Sequence, residues 1–236
     1  MSANREKVLK LGPLWFQPGI TGWNFVTLAY GSFSAISLVI FVSFLQPYLL
    51  TEILHMPASE QGMFTGLLHS LQEALTILLT GFIGAWSDRN GRRKLFALGF
   101  GIMALGYLIM PLAASATQLV IFRCLFAIGA AMVPIMMLAA HIDYIQDRSL
   151  GRWIGLTAIL TGAGAVFMAT VLVKTPEMFL NAGANAVDAG RYAYWLGAGM
   201  CLLAATLLWL GLSKQEPAAP EGSEVWKQLY AGIRAG

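Results

Sequence analysis

The side chains most able to do chemistry in this chain are a few charged and polar groups inside long apolar runs. Glu73 lies near the middle of one such run, with His69 four residues before it and Gln72 beside it. Residues four apart share a helix face, so all three could border one side. A carboxylate in hydrocarbon is costly and generally faces a cavity or a partner. The pattern predicts proton exchange or substrate contact at Glu73, His69 and Gln72. A structural Glu73–His69 pair is the alternative.

A second group of charges is dense. The stretch GAWSDRNGRRK, from Gly84 to Lys94, holds five charges within seven residues. Charges so concentrated must lie outside hydrocarbon. A few cations would suffice to orient a membrane protein, and a topology anchor with a tight turn explains the cations alone. It does not explain Asp88 or the two glycines.

The elements that must position these residues follow from composition. The chain has 236 residues, of which 57% are hydrophobic and 11% charged, and its mean hydropathy is +0.66. A helix needs about 20 mostly apolar residues to cross a bilayer, and continuous apolar runs are unlike the alternating pattern of barrel strands. We predict an all-α, polytopic membrane protein with six spans, at about 25–49, 62–85, 95–113, 117–140, 153–173 and 192–212.

The connections between spans indicate the orientation. Twelve of the fifteen basic residues fall at the two termini and in the loops after spans two and four. By the positive-inside rule these parts and both termini are cytoplasmic. The remaining long connection, 174–191, is predicted as a solvated outer loop. Because the cations cluster beside the spans, we expect a lipid bilayer and no nucleic acid as partner.

Three regions follow from this division. Residues 1–24 are predicted as a cytoplasmic, interfacial lead-in, 25–212 as the bundle, and 213–236 as a cytoplasmic linker ending in an amphipathic helix or a frayed segment. Within the bundle, Gly151 and Gly155 have the spacing of close helix contact. Cys124 and Cys201 stand in apolar runs, which favours buried thiols over a disulfide framework.

The charged stretch resembles the signature of the major facilitator superfamily between helices two and three. That signature is G-x-x-x-D-R-x-G-x-R-K, and its fixed positions are filled here by Gly84, Asp88, Arg89, Gly91, Arg93 and Lys94. The resemblance covers nearly the whole chain and implies the N-terminal half of such a transporter. It also implies that the six helices form two inverted three-helix repeats.

The resemblance further implies an inner gate. In this family the acidic residue of the motif, here Asp88, caps a helix of the other half, where the helix dipole favours an anion. The first glycine, here Gly84, allows close approach of that helix, and basic residues form ion pairs at the rim. We assign Arg89, Gly91, Arg92, Arg93 and Lys94 to the same gate. A second charged cluster, DYIQDRSLGR after span four, is interpreted as a second rim on the same side, and its Asp143 is assigned to the gate. Asp143 or Asp147 could pair with Arg92 or Arg93, or each could remain a solvated loop charge.

Arg123 lies in the outer part of span four, where the family has an arginine. The match is partial, because a glycine often found four residues later is Ala127 here. The resemblance implies that this arginine faces the central cavity near helix one, often in proton coupling, and it could reach Glu73 and His69. A snorkelling Arg123 is the alternative.

We therefore predict a secondary transporter of a small solute, working by alternating access and coupled to protons, present here as its N-terminal half. The alternative is a non-transporting half that acts as an interaction or assembly partner. A second half or a homodimer would complete the cavity, and the expected location is the cell membrane, specifically a bacterial inner membrane. No phosphate loop, nucleophile elbow or metal-ligand cluster is found, so we predict no enzyme activity, cofactor or metal.

Overall fold

The computed structural model describes residues 9–212, except for the side chains of Asp88 and Arg89. Two short strands, β1 (Lys10–Leu11) and β2 (Leu14–Trp15), precede seven helices. These are α1 (Gly22–Tyr48, extended by a π-helical turn at Leu49–Ile53), α2 (Ala58–Asn90), α3 (Arg92–Ile109), α4 (Ala116–Tyr144), α5 (Asp147–Thr170), α6 (Thr175–Asn181) and α7 (Ala186–Gly211). The predicted tail helix lies outside the described residues.

The fold class is confirmed. Within residues 9–212, six helices are long and apolar enough to cross a membrane, namely α1 to α5 and α7. They correspond one to one with the six predicted spans. Contacts between distant residues bring the α2–α3 turn, the α4–α5 turn and both ends of the bundle to one side, which we call the basic end. Asn24 of α1 donates to the carbonyl of Gly211 at the end of α7 at 2.6 Å, and Arg92 and Arg93 contact Asp143 and Leu212.

The prediction of a charged loop after span two is wrong, because α2 ends at Asn90 and α3 begins at Arg92. The single connecting residue, Gly91, has a φ of +85°, a conformation that side chains disfavour. Its amide donates to the carbonyl of Ser87 at 3.0 Å, which completes the last turn of α2. Hydropathy marks where hydrocarbon ends, whereas a helix continues as long as its backbone is hydrogen-bonded.

The outer connection 174–191 is also not the predicted solvated loop. It contains α6, whose Thr175 and Pro176 are buried, and the first turns of α7. Asn185 caps α7, since its side-chain oxygen accepts from the amide of Asp188 at 2.8 Å. Asn and Pro here are helix-start residues rather than signs of irregular chain.

Glycines allow the closest helix contacts. A Cβ at Gly129 of α4 would lie 2.5 Å from the carbonyl oxygen of Gly99 on α3, and one at Gly164 of α5 would lie 2.5 Å from the carbonyl oxygen of Phe33 on α1. By contrast, the contact expected at Gly151 and Gly155 is absent among the described residues, because no atom lies within 4 Å of a Cβ at either position.

Two helices are left with few neighbours. Only 17% of the most apolar stretch of α2 and of α5 is buried, against 56% for α1, α3 and α4. Since α2 packs mainly on α4 and α5 mainly on α1, each presents its other side outward. The described bundle therefore leaves one side of α2 and one side of α5 uncovered.

The segment before α1 is more ordered than the predicted lead-in. Strands β1 and β2 form an antiparallel hairpin that, with the residues after it, docks on the α4–α5 turn. The amide of Gln17 donates to the carbonyl of Tyr144 at 2.9 Å, and that of Gln146 to the carbonyl of Trp15 at 3.0 Å. Phe16 is fully buried, edge-on to Phe25 and Trp153. The predicted boundary at residue 24 also moves, because α1 begins at Gly22.

We expect Gly129→Val to lower the free energy of unfolding by about 1–3 kcal/mol, because the added atoms collide with the backbone of α3. The matched control is Gly101→Val, where no atom lies within 4 Å of an added Cβ. Both variants would be unfolded in detergent and followed by circular dichroism. Equal losses of stability in the two variants would contradict the close α3–α4 contact.

Candidate functional site

The basic end is held together by contacts between distant parts of the chain. Arg92 at the start of α3 pairs with Asp143 near the end of α4, with Nε 3.0 Å from the carboxylate and each side chain about a quarter exposed. This is one of the pairings that the sequence allowed, and it is confirmed. It joins the α2–α3 turn to the α4–α5 turn within the half.

Arg93 also contacts its own half. Its Nη1 donates to the carbonyl of Leu212 at 3.3 Å, and its guanidinium lies 5.0 Å from the ring centre of Trp209. A cation beside the last carbonyls of α7 is favoured by the helix dipole. Lys94 is exposed. The two arginines therefore connect the start of α3 to α4 and to α7.

The predicted gate also includes the two glycines of the motif, Gly84 and Gly91. Gly84 is half-buried, and no described atom lies within 4 Å of a Cβ placed on it. Gly91 makes the one-residue turn already described. The side chains of Asp88 and Arg89 lie outside the description, so the cap on another helix stays a prediction that follows from the resemblance.

Arg123 is buried between the helices and is only 2% exposed, so in the described bundle it does not snorkel to the surface. Its Nη2 lies 3.4 Å from the hydroxyl of Ser43 on α1, and its guanidinium is 5.3 Å from the ring centre of Phe126. It interacts electrostatically with His69 on α2. It thus faces helix one, as the resemblance implies, but within the described residues it has no ion pair with Glu73.

A second polar contact lies about one turn of α1 beyond Ser43, where the side-chain amide of Gln46 donates to the hydroxyl of Thr65 on α2 at 2.9 Å. Gln46 is 3% and Gln72 7% exposed, and the side-chain oxygen of each, like Nε of Arg123, has no hydrogen-bond partner among residues 9–212 as described. Buried polar atoms are normally paired. Unpaired groups beside α1, α2 and α4 are therefore candidates for contact with a solute or with water.

Glu73 does not share a side with Gln72, contrary to the expectation that both border one face. Gln72 is buried, His69 is half-buried and Glu73 is exposed. Neighbouring helical residues are about 100° apart, so Glu73 lies on the uncovered side of α2, next to the side that carries Gln72. Glu73 still interacts electrostatically with His69.

His141 is a polar residue that the sequence analysis did not single out. It is 2% exposed, its Nε2 is 3.0 Å from the hydroxyl of Ser32, and it packs edge-on against Trp153. Its position in a stretch free of Asp, Glu, Lys and Arg was the sequence feature that could have identified it as a candidate site residue. Among residues 9–212, no group of three His, Cys, Asp or Glu side chains could hold a metal ion.

A bundle of six apolar helices with one basic end and polar groups buried between the helices defines a multi-pass membrane protein. The chain belongs to the Major Facilitator Superfamily, whose family model matches residues 22–234. Membership supports a role in transport. The resemblance drawn from the motif of Gly84 to Lys94 is therefore confirmed.

Three relatives of this chain are 26% to 30% identical to it over the matched residues. The chain is 26% identical to the magnetosome protein MamH of Paramagnetospirillum magneticum over 199 residues, which are 81% of this chain and 44% of MamH. It is 26% identical to MamZ of the same organism, covering 66% of this chain and 26% of MamZ. Multidrug resistance protein 2 of Bacillus subtilis is 30% identical over 56% of this chain and 34% of its own length. The chain thus spans less than half the length of each of these relatives.

We expect a double-mutant cycle of Arg92→Gln and Asp143→Asn to give a coupling energy of about 1 kcal/mol, the upper end for a partly exposed pair. The control cycle is Arg191→Gln with Asp188→Asn, an i,i+3 pair with side chains 37% exposed, for which about 0.3 kcal/mol is expected. Unfolding in detergent measures both cycles. No coupling between Arg92 and Asp143 would show that the contact does not stabilise the basic end.

Proposed function

We propose that this chain is the N-terminal half of a secondary transporter that moves a small solute by alternating access and is coupled to protons. The observation that carries the proposal is the outward carboxylate of Glu73, near the middle of an apolar span. Such a group is too costly to face lipid. A water-filled route beside α2, between this half and a second one, gives it a place.

The two sparsely buried helices support a second half as partner. Along α2, Gly62, Gly66, Gly81 and Gly84 have no atom within 4 Å of an added Cβ, and the same holds for Gly151 and Gly155 on α5. Small residues allow helices to approach closely in a membrane. We propose that a second six-helix unit, or a second copy of this chain, covers both faces.

The basic end would act as part of a gate in this arrangement. Arg92 and Arg93 are engaged within the half, through Asp143 and Leu212, so the proposed movable contact is the one made by Asp88 to the second half. A carboxylate at a helix N-terminus contributes about 1 kcal/mol. A contact of that size biases two states and can be broken in each cycle.

The distribution of the cations gives the proposed orientation. The α2–α3 and α4–α5 turns carry most of the cations outside the termini, and the positive-inside rule assigns this end to the cytoplasm. Both termini would then be cytoplasmic. We propose a cell membrane, specifically a bacterial inner membrane, as the location.

The proposal is tested by Asp88→Asn in the protein completed by its second half. Vesicles would first be screened for a solute that the wild type carries, and the variant would then be compared. If the substitution destabilises the closed state of the gate by about 1 kcal/mol, the steady-state rate of transport should change about five-fold. The control is Asp147→Asn, which removes an exposed carboxylate at the same end.

The outcomes separate the two functions that the sequence left open. An unchanged rate for Asp88→Asn would remove the gate. A wild-type protein that inserts correctly but carries no solute in the screen would favour the second candidate, a membrane-embedded interaction partner, for which the unpartnered faces of α2 and α5 are the supporting observation.

Coupling to protons rests on Glu73. We expect Glu73→Gln to retain solute exchange across vesicles at equal pH but to lose accumulation driven by a pH gradient, because the amide cannot bind and release a proton. The control is Thr80→Gln, which alters another exposed position of α2 and leaves the carboxylate of Glu73 in place. Unchanged accumulation in Glu73→Gln would exclude this residue as the coupling group.

A further inference from the structure

The hairpin of β1 and β2 gathers cations from two distant parts of the chain. The ammonium of Lys10 lies 4.6 Å, and the guanidinium of Arg148 3.6 Å, from the ring centre of Trp15. Arg152, one turn further along α5, donates from Nη1 to the carbonyl of Pro13 at 3.3 Å. All three cations are exposed. We call Lys10, Arg148, Arg152 and Trp15 the hairpin corner.

The corner is held in place by backbone contacts rather than by opposite charges. The hydroxyl of Ser149 accepts from the amide of Trp15 at 3.1 Å and donates to its carbonyl at 3.0 Å. Gln146 accepts from Nε of Arg148 at 2.9 Å and donates from its own amide to Phe16 at 2.7 Å. The hairpin and the first turn of α5 thus fix where the cations stand.

These cations lack a carboxylate partner among the described residues. Neither Lys10, Arg148 nor Arg152 takes part in an ion pair there, although Asp147 is exposed next to Arg148. Two of the charges share one indole ring, so they stand within about one Debye length, 8–10 Å, of each other. Such positive charges repel, and an external anion would relieve the repulsion.

The surroundings indicate which anion. Apolar side chains at the same end are exposed, with Leu11, Trp23 and Ile154 at 38%, 55% and 44%. Trp is typical of the level where headgroups meet hydrocarbon. A phospholipid has the matching form, a phosphate above its acyl chains. We propose that the hairpin corner binds the phosphate of an anionic membrane lipid.

The proposal differs from simple attraction of cations to a charged surface. The corner brings together residues 138 positions apart in sequence, through a hairpin seated on the α4–α5 turn, so binding would depend on the fold of that hairpin. A bound lipid would in turn stabilise the seated hairpin, since it binds the folded form only.

The experiment measures the binding of phosphatidylglycerol to the full chain in mild detergent by native mass spectrometry, with phosphatidylcholine as the neutral lipid. The test variant is Lys10→Gln/Arg148→Gln/Arg152→Gln. We expect affinity for phosphatidylglycerol to fall about five-fold for each cation removed, and affinity for phosphatidylcholine to stay unchanged. The matched control, Lys174→Gln/Arg191→Gln, removes cations from the opposite end and should bind phosphatidylglycerol like the wild type.

A second variant separates charge from folding. Lys10→Arg/Arg148→Lys/Arg152→Lys keeps every charge, and it leaves intact the contacts of Trp15 with Ser149 and Gln146 that seat the hairpin. It should therefore retain most of the binding. The proposal is overturned if this variant loses binding as fully as the glutamine variant. It is also overturned if the glutamine variant binds phosphatidylglycerol like the wild type, which would show that the lipid binds elsewhere. Displacement of the lipid by millimolar inorganic phosphate would likewise overturn it, because that result would indicate a site for free phosphate.

Discussion

The constraint on which the structure depends is that hydrocarbon excludes charge and unpaired backbone groups. It compels the apolar runs to form helices, and it places the cations at helix ends, where Gly91 and the α4–α5 turn reverse the chain. The charged residues inside the apolar runs are exceptions to this constraint and therefore need a specific environment. A carboxylate at Glu73 and a guanidinium at Arg123 can remain inside the bilayer only where a route or a packed interior surrounds them.

The two exceptions are accommodated in different ways. Arg123 is covered by its own half, against Ser43 and Phe126. Glu73 stands on a helix that few neighbours cover. One charge is therefore part of the interior of the described bundle, and the other lies on its uncovered surface. The basic end joins the helices into one unit through the Arg92–Asp143 pair, the Arg93–Leu212 contact and the seated hairpin.

The number and type of the spans could be predicted because hydropathy reports the bilayer directly. The family could be predicted because the residues from Gly84 to Lys94 combine fixed types with fixed spacing. The Arg92–Asp143 pair was one of several possibilities, and choosing it needed the actual rotation of α3 and α4. The predicted loops at 86–94 and 174–191 were wrong for one reason. Polar residues mark the edge of hydrocarbon, whereas helix ends depend on local caps such as Asn185 and on glycine at Gly91.

The sequence by itself determined the membrane class, the six helices, the basic end and the identity of the charged residues, because each follows from the composition of a contiguous stretch. Only the tertiary structure decided which side each residue faces. Gln72 turns inward and Glu73 outward, Gly129 is a helix contact and Gly151 is not, and the hairpin reaches residues far along the chain. These facts depend on how helices pack against one another, and the packing of distant residues is not written in the local pattern of any one segment.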